Sequence, residues 1–193
     1  MIENVLTLKG VSLRMKITVK SLVSAAIISL SVLLPQLFHL FAGLQGGVKW
    51  LPMYLPVLLG GCLLGWKWGL AVGMLSPVAS FLITTVAGNP MPALARLPFM
   101  VVELAVFAAV SGLFSDKIYE NGWLAFPAVL LAQVAGRTVF MLSVLAFQSV
   151  TPFTPAVIWG QIQSGLLGMV LQAAAVPFIV MGLRALLIKD KND

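Results

Sequence analysis

The stretch from Leu51 to Phe114 decides the fold of this 193-residue chain, and it reads LPMYLPVLLGGCLLGWKWGLAVGMLSPVASFLITTVAGNPMPALARLPFMVVELAVFAAVSGLF. Its apolar segments cover about 50–64, 66–86 and 97–114. A tight turn at Gly65-Trp66 separates the first two, and a loop with glycine and proline separates the second from the third. A helix needs about 20 mostly apolar residues to cross a bilayer. The stretch therefore predicts a region of membrane-spanning helices.

The composition extends this interpretation to the whole chain. Hydrophobic residues make up 60% of the sequence and charged residues 9%, and the mean hydropathy is +1.04. A soluble domain carries about 25% charged residues. An ordinary soluble globule and a disordered chain are therefore excluded. The 12 Lys and Arg are scattered between apolar blocks, so the net charge of +6 is interpreted as a topology signal and not as a nucleic-acid surface.

Three more apolar segments complete an all-α membrane protein, with six transmembrane helices in one bundle that forms a single domain over residues 1–193. The spans are predicted at about 21–41, 50–64, 66–86, 97–114, 123–147 and 157–188. Long apolar runs replace the alternation that a barrel would show. A cleaved signal peptide is disfavoured, because the first apolar stretch lacks a cleavage site and five spans follow it.

The placement of lysine and arginine predicts the orientation. Basic residues gather on one side of the predicted membrane, at Lys9, Arg14, Lys16, Lys20, Lys67, Lys117, Arg184, Lys189 and Lys191. The loops on the other side hold only Lys49 and Arg96. Because cytoplasmic loops are enriched in Lys and Arg, both termini are expected to be cytoplasmic.

Three irregular segments with proline or glycine fall on the predicted outer side, at Leu44–Pro56, Ala87–Pro98 and Ser149–Ala156. The predicted inner turns are tighter. Rigid segments on one side of a bundle favour a mouth over a site between helix ends.

Two opposite charges lie inside predicted spans, at similar depths in the outer half of the bundle. Glu103 lies in the fourth span and Arg137 in the fifth, with Gln133 one helical turn before Arg137 on the same face. An isolated charge at membrane depth costs at least about 2.5 kcal/mol, so each needs a partner or a wet cavity. Glu103 and Arg137 are therefore expected either to form a structural ion pair or to contact a ligand, and the two roles can coexist.

Other candidate ligand contacts lie toward the outer ends of the spans: Arg96, His39, Trp50, Asn89 and Gln161. His39 is either an interfacial packing residue or a ligand contact. Trp50 belongs to an interfacial belt or stacks on a planar ligand. Arg96, Arg137 and Lys49 near the outer mouth would suit a carboxylate or a phosphate.

Soluble-type catalytic signatures are absent from the sequence. It has no Walker A loop, no H-E-x-x-H, and a single cysteine, Cys62, so it has no paired cysteine motif. Ser111 and His39 are predicted at opposite ends of different spans, which disfavours an intramembrane serine protease. The alternatives that stay open are an autonomous channel or secondary carrier, and a membrane-embedded enzyme using Glu103 or Arg137.

The first span carries small residues at Ser21, Ala25 and Ser29, and the third has Gly69 and Gly73 at the same four-residue spacing. Such faces let another helix approach closely. For the first span, the partner helix is expected either within the chain or in another subunit.

The stretch from Leu51 to Phe114 resembles the substrate-binding S component of energy-coupling factor (ECF) vitamin transporters. The resemblance is carried by L-P-M-x-x-P-V-L-L-G, then G-x-x-x-G-x-x-x-P-x-x-S, a glycine–proline loop and M-x-x-E-L, at Leu51–Gly60, Gly69–Ser80, Gly88–Pro92 and Met100–Leu104. It implies a six-helix subunit of the cell membrane, multi-pass and of bacterial plasma-membrane type, that binds a vitamin or related micronutrient from outside.

The same resemblance implies the partners. These are a transmembrane T component and two cytoplasmic ATPases, so that ATP is used by partner subunits and this chain holds no cofactor. It implies docking through the small face Ser21, Ala25 and Ser29, where serine replaces the alanines of an A-x-x-x-A pattern, and toppling of the subunit in the membrane. Pantothenate, folate, nicotinate and biotin fit the basic mouth, whereas riboflavin and cobalamin would rely more on aromatic and amide contacts.

Overall fold

The computed structural model describes residues 13–147 and 154–189, and this part of the chain is helical, without a strand. It contains seven α-helices, numbered here in chain order: α1 Leu13–Trp50, α2 Tyr54–Leu64, α3 Trp66–Val86, α4 Leu97–Leu113, α5 Ser115–Glu120, α6 Ala125–Ala146 and α7 Pro155–Lys189. A 3₁₀ turn at Gly122–Leu124 precedes α6. The all-α class predicted from the sequence is confirmed.

Four apolar segments of this structure are long enough to cross a membrane: Arg14–Phe41, Trp66–Val86, Gly122–Ala146 and Trp159–Ala185. The other two apolar helices, α2 and α4, have 11 and 17 residues. At a rise of 1.5 Å per residue they are roughly 17 and 26 Å long, short of a hydrocarbon core of about 30 Å. The structure thus supports four spans, and the six-span arrangement stays a prediction.

The first apolar segment ends at Phe41, as predicted, but the predicted start of the second span at about residue 50 is wrong. Within α1, two helical segments meet at a kink at the non-helical Gly43 (φ 64°, ψ −169°), the second segment ends at Trp50, and α2 begins only at Tyr54. Trp50 therefore ends the first helix instead of starting the second. Residues 44–50 follow the kink and lie beyond the apolar segment, so hydropathy does not mark where α1 ends.

The predicted inner turn between the fourth and fifth spans contains a short helix, α5, which the sequence had indicated as a turn. Arg184 of α7 fixes it, because its Nε donates to the carbonyl of Tyr119 at 2.9 Å and its Nη2 to that of Glu120 at 3.1 Å. The boundaries of the last four predicted spans lie within two residues of the observed helix ends, whereas α1 begins at Leu13, eight residues before the predicted start at 21.

Glycines set the close packing of α3 on α4. A Cβ at Gly73 would lie 2.4 Å from the carbonyl oxygen of Leu104, and one at Gly69 would lie 2.9 Å from that of Ala108. The two glycines are one helical turn apart and face the same helix. The small-residue spacing of the third span therefore finds its partner inside the chain.

Helix α4 lies at the centre of the bundle, where it packs against α2, α3 and α6. On its α6 side, the ring of Phe107 occupies the space in which a side chain on Gly136 would lie. Phe107 is fully buried, and so are Leu104 on α4 and Leu58 on α2. This central position buries Glu103 between neighbouring helices.

We expect Gly73→Ala to lower the melting temperature of the detergent-solubilised protein by several degrees, since overpacking costs about 1–3 kcal/mol. The matched control is Gly182→Ala on α7, where a Cβ meets nothing within 4 Å. Alanine has the higher helix propensity, so this control is expected to leave the melting temperature unchanged or raised. Equal melting temperatures for the two variants would contradict the packing of α3 on α4.

Candidate functional site

The two charges of the predicted spans contact each other in the bundle core. Glu103 Oε1 lies 2.7 Å from Arg137 Nη1, and the Tyr54 hydroxyl donates a hydrogen bond of 2.6 Å to Glu103 Oε2. The Glu103 side chain is fully buried, and that of Arg137 is 8% exposed. One residue comes from each of α2, α4 and α6, so the three side chains join three helices at one depth.

Aromatic rings complete the surroundings of this pair. The guanidinium carbon of Arg137 lies 5.1 Å from the centre of the Tyr54 ring, and Phe107 meets the same ring edge-on at 5.2 Å. A ring face attracts a cation, more strongly where water is excluded. Arg137 keeps two buried donors, Nε and Nη2, without a hydrogen-bond partner. Its charge is compensated by Glu103, while its hydrogen-bonding capacity is only partly used.

A cavity of about 260 Å³ opens beside Tyr54, at the end of the bundle predicted to face outside, here called the outer end. It is bounded by α1, the segment between α1 and α2, α3, the α3–α4 loop and the start of α4. Its lining is mainly apolar with a few polar groups, and comprises Pro35, His39, Leu51, Pro52, Met53, Tyr54, Ser80, Met91, Pro92, Ala93, Arg96 and Met100. Ligand sites typically have this combination of an apolar wall and few polar groups.

The α3–α4 loop is fixed to α3 by hydroxyl groups. Ser80 Oγ donates to the carbonyl of Met91 at 2.9 Å, and the Met91 N–H donates to Thr84 Oγ1 at 2.8 Å. The Asn89 N–H donates to the Thr84 carbonyl at 3.0 Å. This predicted mouth segment is therefore anchored at the cavity wall. The third predicted mouth segment, Ser149–Ala156, lies largely outside the described residues.

Arg96 supplies the positive charge of the cavity lining. Its side chain is half-buried, its Nε has no hydrogen-bond partner, and its guanidinium carbon lies 6.0 Å from the centre of the Phe140 ring. The ring holds the guanidinium without neutralising it. Arg96 is thus equipped to receive an anionic group.

A second cavity, of about 410 Å³, adjoins the first and shares His39 and Met91 with it. The remaining lining residues are Gln36, Leu40, Gly43 and Asn89. The Gln36 amide nitrogen is buried without a hydrogen-bond partner, and Asn89 is exposed at the outer rim. His39 therefore lies between two spaces, each with unused hydrogen-bonding groups nearby.

Five of the candidate ligand residues lie outside the lining of both cavities: Glu103, Arg137, Gln133, Trp50 and Gln161. Gln133 donates to the Met169 carbonyl at 3.0 Å and so ties α6 to α7. The Trp50 ring lies 6.4 Å from that of Phe38. Gln161, on α7, has a buried amide oxygen without a partner. Their ligand contacts stay predictions.

Sequence reasoning missed Tyr54, Ser80, Gln36 and Met91. Tyr54 carried a detectable signal, since it is the only tyrosine of the predicted spans and a buried hydroxyl needs a partner. Gln36 is also a polar residue in an apolar span. Ser80 and Met91 belong to the quoted motif and to the glycine–proline loop, but these patterns do not predict the hydrogen bond between them.

The small face of the first helix points away from the bundle. Ser21, Ala25 and Ser29 are exposed, whereas Ser24 and Ile27 of the same helix are buried. This face is therefore free to meet another helix within the membrane.

Long apolar helices around a cavity at one end define a multi-pass membrane protein with a candidate binding site. Residues 17–180 match the family described as "ECF transporter, substrate-specific component". The chain belongs to this family, and it is a substrate-specific transporter subunit rather than a member of an enzyme class. No match is found among curated proteins or solved structures.

Removing one member of the buried pair is expected to destabilise the protein strongly. Arg137→Met should cost about 3–5 kcal/mol, because it leaves Glu103 without its partner in an apolar core. Glu103→Gln combined with Arg137→Met should cost clearly less than the sum of the two single variants. Unfolding in detergent measures all three variants. Additive losses would show that the two side chains do not stabilise each other.

Proposed function

We propose that this subunit captures a small molecule from the exterior in the cavity beside Tyr54 and delivers it through a partner complex. The observation that carries the proposal is Arg96, a cation with an unused donor in the wall of a mainly apolar cavity. The proposed arrangement has six spans, with both termini in the cytoplasm of a bacterial cell. The positions of lysine and arginine support this orientation.

Charge compensation favours Arg96 over Arg137 as the residue that meets an anionic group. Arg137 has a carboxylate at 2.7 Å, whereas Arg96 has its guanidinium on the Phe140 ring. A charge-assisted hydrogen bond from Arg96 to a carboxylate or phosphate is the strongest contact that this lining offers. Arg137 then acts by holding Glu103 and Tyr54 in place. Its two unpaired donors, Nε and Nη2, are buried in the same core.

The cavity size favours a small vitamin-type substrate. A volume of about 260 Å³ lies just below the range of about 300–1,000 Å³ for ligand pockets. Pantothenate, nicotinate and biotin combine modest size with a carboxylate. Cobalamin is much larger than either cavity and lacks the carboxylate that Arg96 would bind. We therefore propose a small carboxylate-bearing micronutrient as the substrate class.

The proposed partners are a transmembrane T component and two cytoplasmic ATPases, which supply the energy while this chain holds no cofactor. The exposed face of Ser21, Ala25 and Ser29 supports helix docking, because small side chains let two backbones approach closely in lipid. None of these three residues lines the cavity, so docking and ligand binding can be tested separately.

Arg96→Gln is expected to weaken substrate binding by about 10- to 100-fold, since a hydrogen bond to a charged group is worth about 1.5–3 kcal/mol. Equilibrium dialysis of the purified protein against labelled pantothenate, nicotinate, biotin and riboflavin measures this change. The matched control is Arg14→Gln, an exposed arginine at the start of α1, which should bind like the unaltered protein. Equal affinity of the two variants would contradict the role of Arg96.

Ala25→Trp is expected to abolish copurification with the T component, because the indole would keep the partner helix away from the small face. Leu130→Trp places the same side chain on an exposed position of α6, and it should leave the complex intact. Both variants should retain ligand in the dialysis experiment. A complex that survives Ala25→Trp would exclude this face as the docking surface.

A further inference from the structure

The wall of the first cavity contains a strained residue at the junction of α1 and α2. Leu51 has a φ of 48°, in the left-handed region that a leucine rarely adopts. It is buried, and with Pro52, Met53 and Tyr54 it forms one side of the cavity. Such a conformation persists only where the surrounding structure holds it.

Helix α7 supplies the groups that hold this turn. The amide nitrogen of Gln172 donates to the carbonyl of Trp50 at 3.1 Å and to that of Leu51 at 2.8 Å. Gly168 lies one helical turn earlier, and a Cβ there would lie 2.7 Å from the carbonyl oxygens of Lys49 and Trp50. One face of α7 thus provides both the donor and the space for this backbone.

The Leu51 carbonyl connects this contact to the rest of the site. It also accepts the N–H of Tyr54, the first residue of α2, at 3.0 Å. The Tyr54 hydroxyl in turn donates to Glu103. Hydrogen bonds at both ends of Tyr54, one at its backbone N–H and one at its hydroxyl, therefore link the turn held by Gln172 to the buried ion pair.

Packing alone does not account for glutamine at position 172. The side chain is 1% exposed, and its amide oxygen has no hydrogen-bond partner. A leucine would fill a similar space without leaving a buried acceptor unpaired, which is costly. A leucine could not supply the N–H donors that Gln172 directs to the carbonyls of Trp50 and Leu51.

We propose that Gln172 is a positioning residue of the substrate cavity, which it does not itself line, and that with Gly168 it holds the Leu51 turn in the shape needed for binding. This assignment rests on the proposed function of the cavity. Gln172 keeps the wall formed by Leu51, Pro52 and Met53 closed against α7 before a ligand arrives.

A thiol reporter tests this proposal without a ligand. In a Met53→Cys background, the introduced thiol lies in the cavity wall, where Met53 is 4% exposed. We expect added Gln172→Leu to raise its rate of reaction with N-ethylmaleimide at least about fivefold, because the wall opens locally. The matched control is Gln163→Leu, an exposed position of α7, which should leave the rate unchanged. Equal labelling rates for Met53→Cys with and without Gln172→Leu would overturn the proposal.

The native Cys62 separates local opening from unfolding. It is fully buried, so it reacts with maleimide only when the bundle opens, and mass spectrometry of the peptides distinguishes it from the introduced thiol. If Cys62 also reacts faster in Gln172→Leu, Gly168→Ala is tested in its place, since its methyl group displaces the Lys49–Trp50 backbone. The proposal then requires that Gly168→Ala speeds labelling of the thiol at position 53 and leaves labelling of Cys62 unchanged.

Binding of the four labelled compounds separates this proposal from the proposed function. Gln172→Leu should weaken binding of the retained compound by about tenfold or more with an unchanged melting temperature, while Gln163→Leu should not. If the unaltered protein retains none of the compounds but Gln172→Leu still accelerates labelling, the substrate class is wrong and the holding of the turn is supported. Unchanged binding together with unchanged labelling overturns the positioning role alone.

Discussion

The structure depends on one electrostatic constraint, which is that two opposite charges in an apolar bundle must compensate each other. Glu103 and Arg137 meet at 2.7 Å, and the Tyr54 hydroxyl donates a hydrogen bond to the second carboxylate oxygen of Glu103. Removing either charge alone leaves the other without compensation in a medium that solvates it poorly. The contact therefore fixes the depth and rotation of α2, α4 and α6 relative to one another, and with them the wall of the outer cavity.

The cavity is built from the parts of the chain that depart from regular helix. The left-handed turn at Leu51 and the loop fixed to Ser80 and Thr84 both line it, with Arg96 at the start of α4. Irregular backbone at the end of a bundle is tolerated where its polar groups find partners or water. The toppling that the family resemblance implies would carry these groups toward the hydrocarbon core, and the small number of charges on the chain would keep the free-energy cost low.

The class of the fold and the central contact could be predicted from the sequence, whereas the cavity lining could not. Hydropathy marks the apolar segments. A lone charge at membrane depth is costly, and Glu103 and Arg137 are predicted at similar depths, so the sequence indicates that they meet. The rotation of a helix about its axis is only weakly encoded, so Gln133 shares a face with Arg137 and still turns to α7. Trp50 was misplaced because a second helical segment follows the kink at Gly43, and Tyr54 was overlooked although a buried hydroxyl in an apolar span needs a partner.

The most direct test of this account is an experimental structure of the protein in lipid nanodiscs with the small molecule that copurifies with it. The account predicts ligand density in the outer cavity, in contact with Arg96 and His39 and against the Tyr54 ring, with Glu103 and Arg137 still paired beneath it. Ligand density elsewhere in the bundle, or Glu103 and Arg137 on separate faces of their helices, would contradict it.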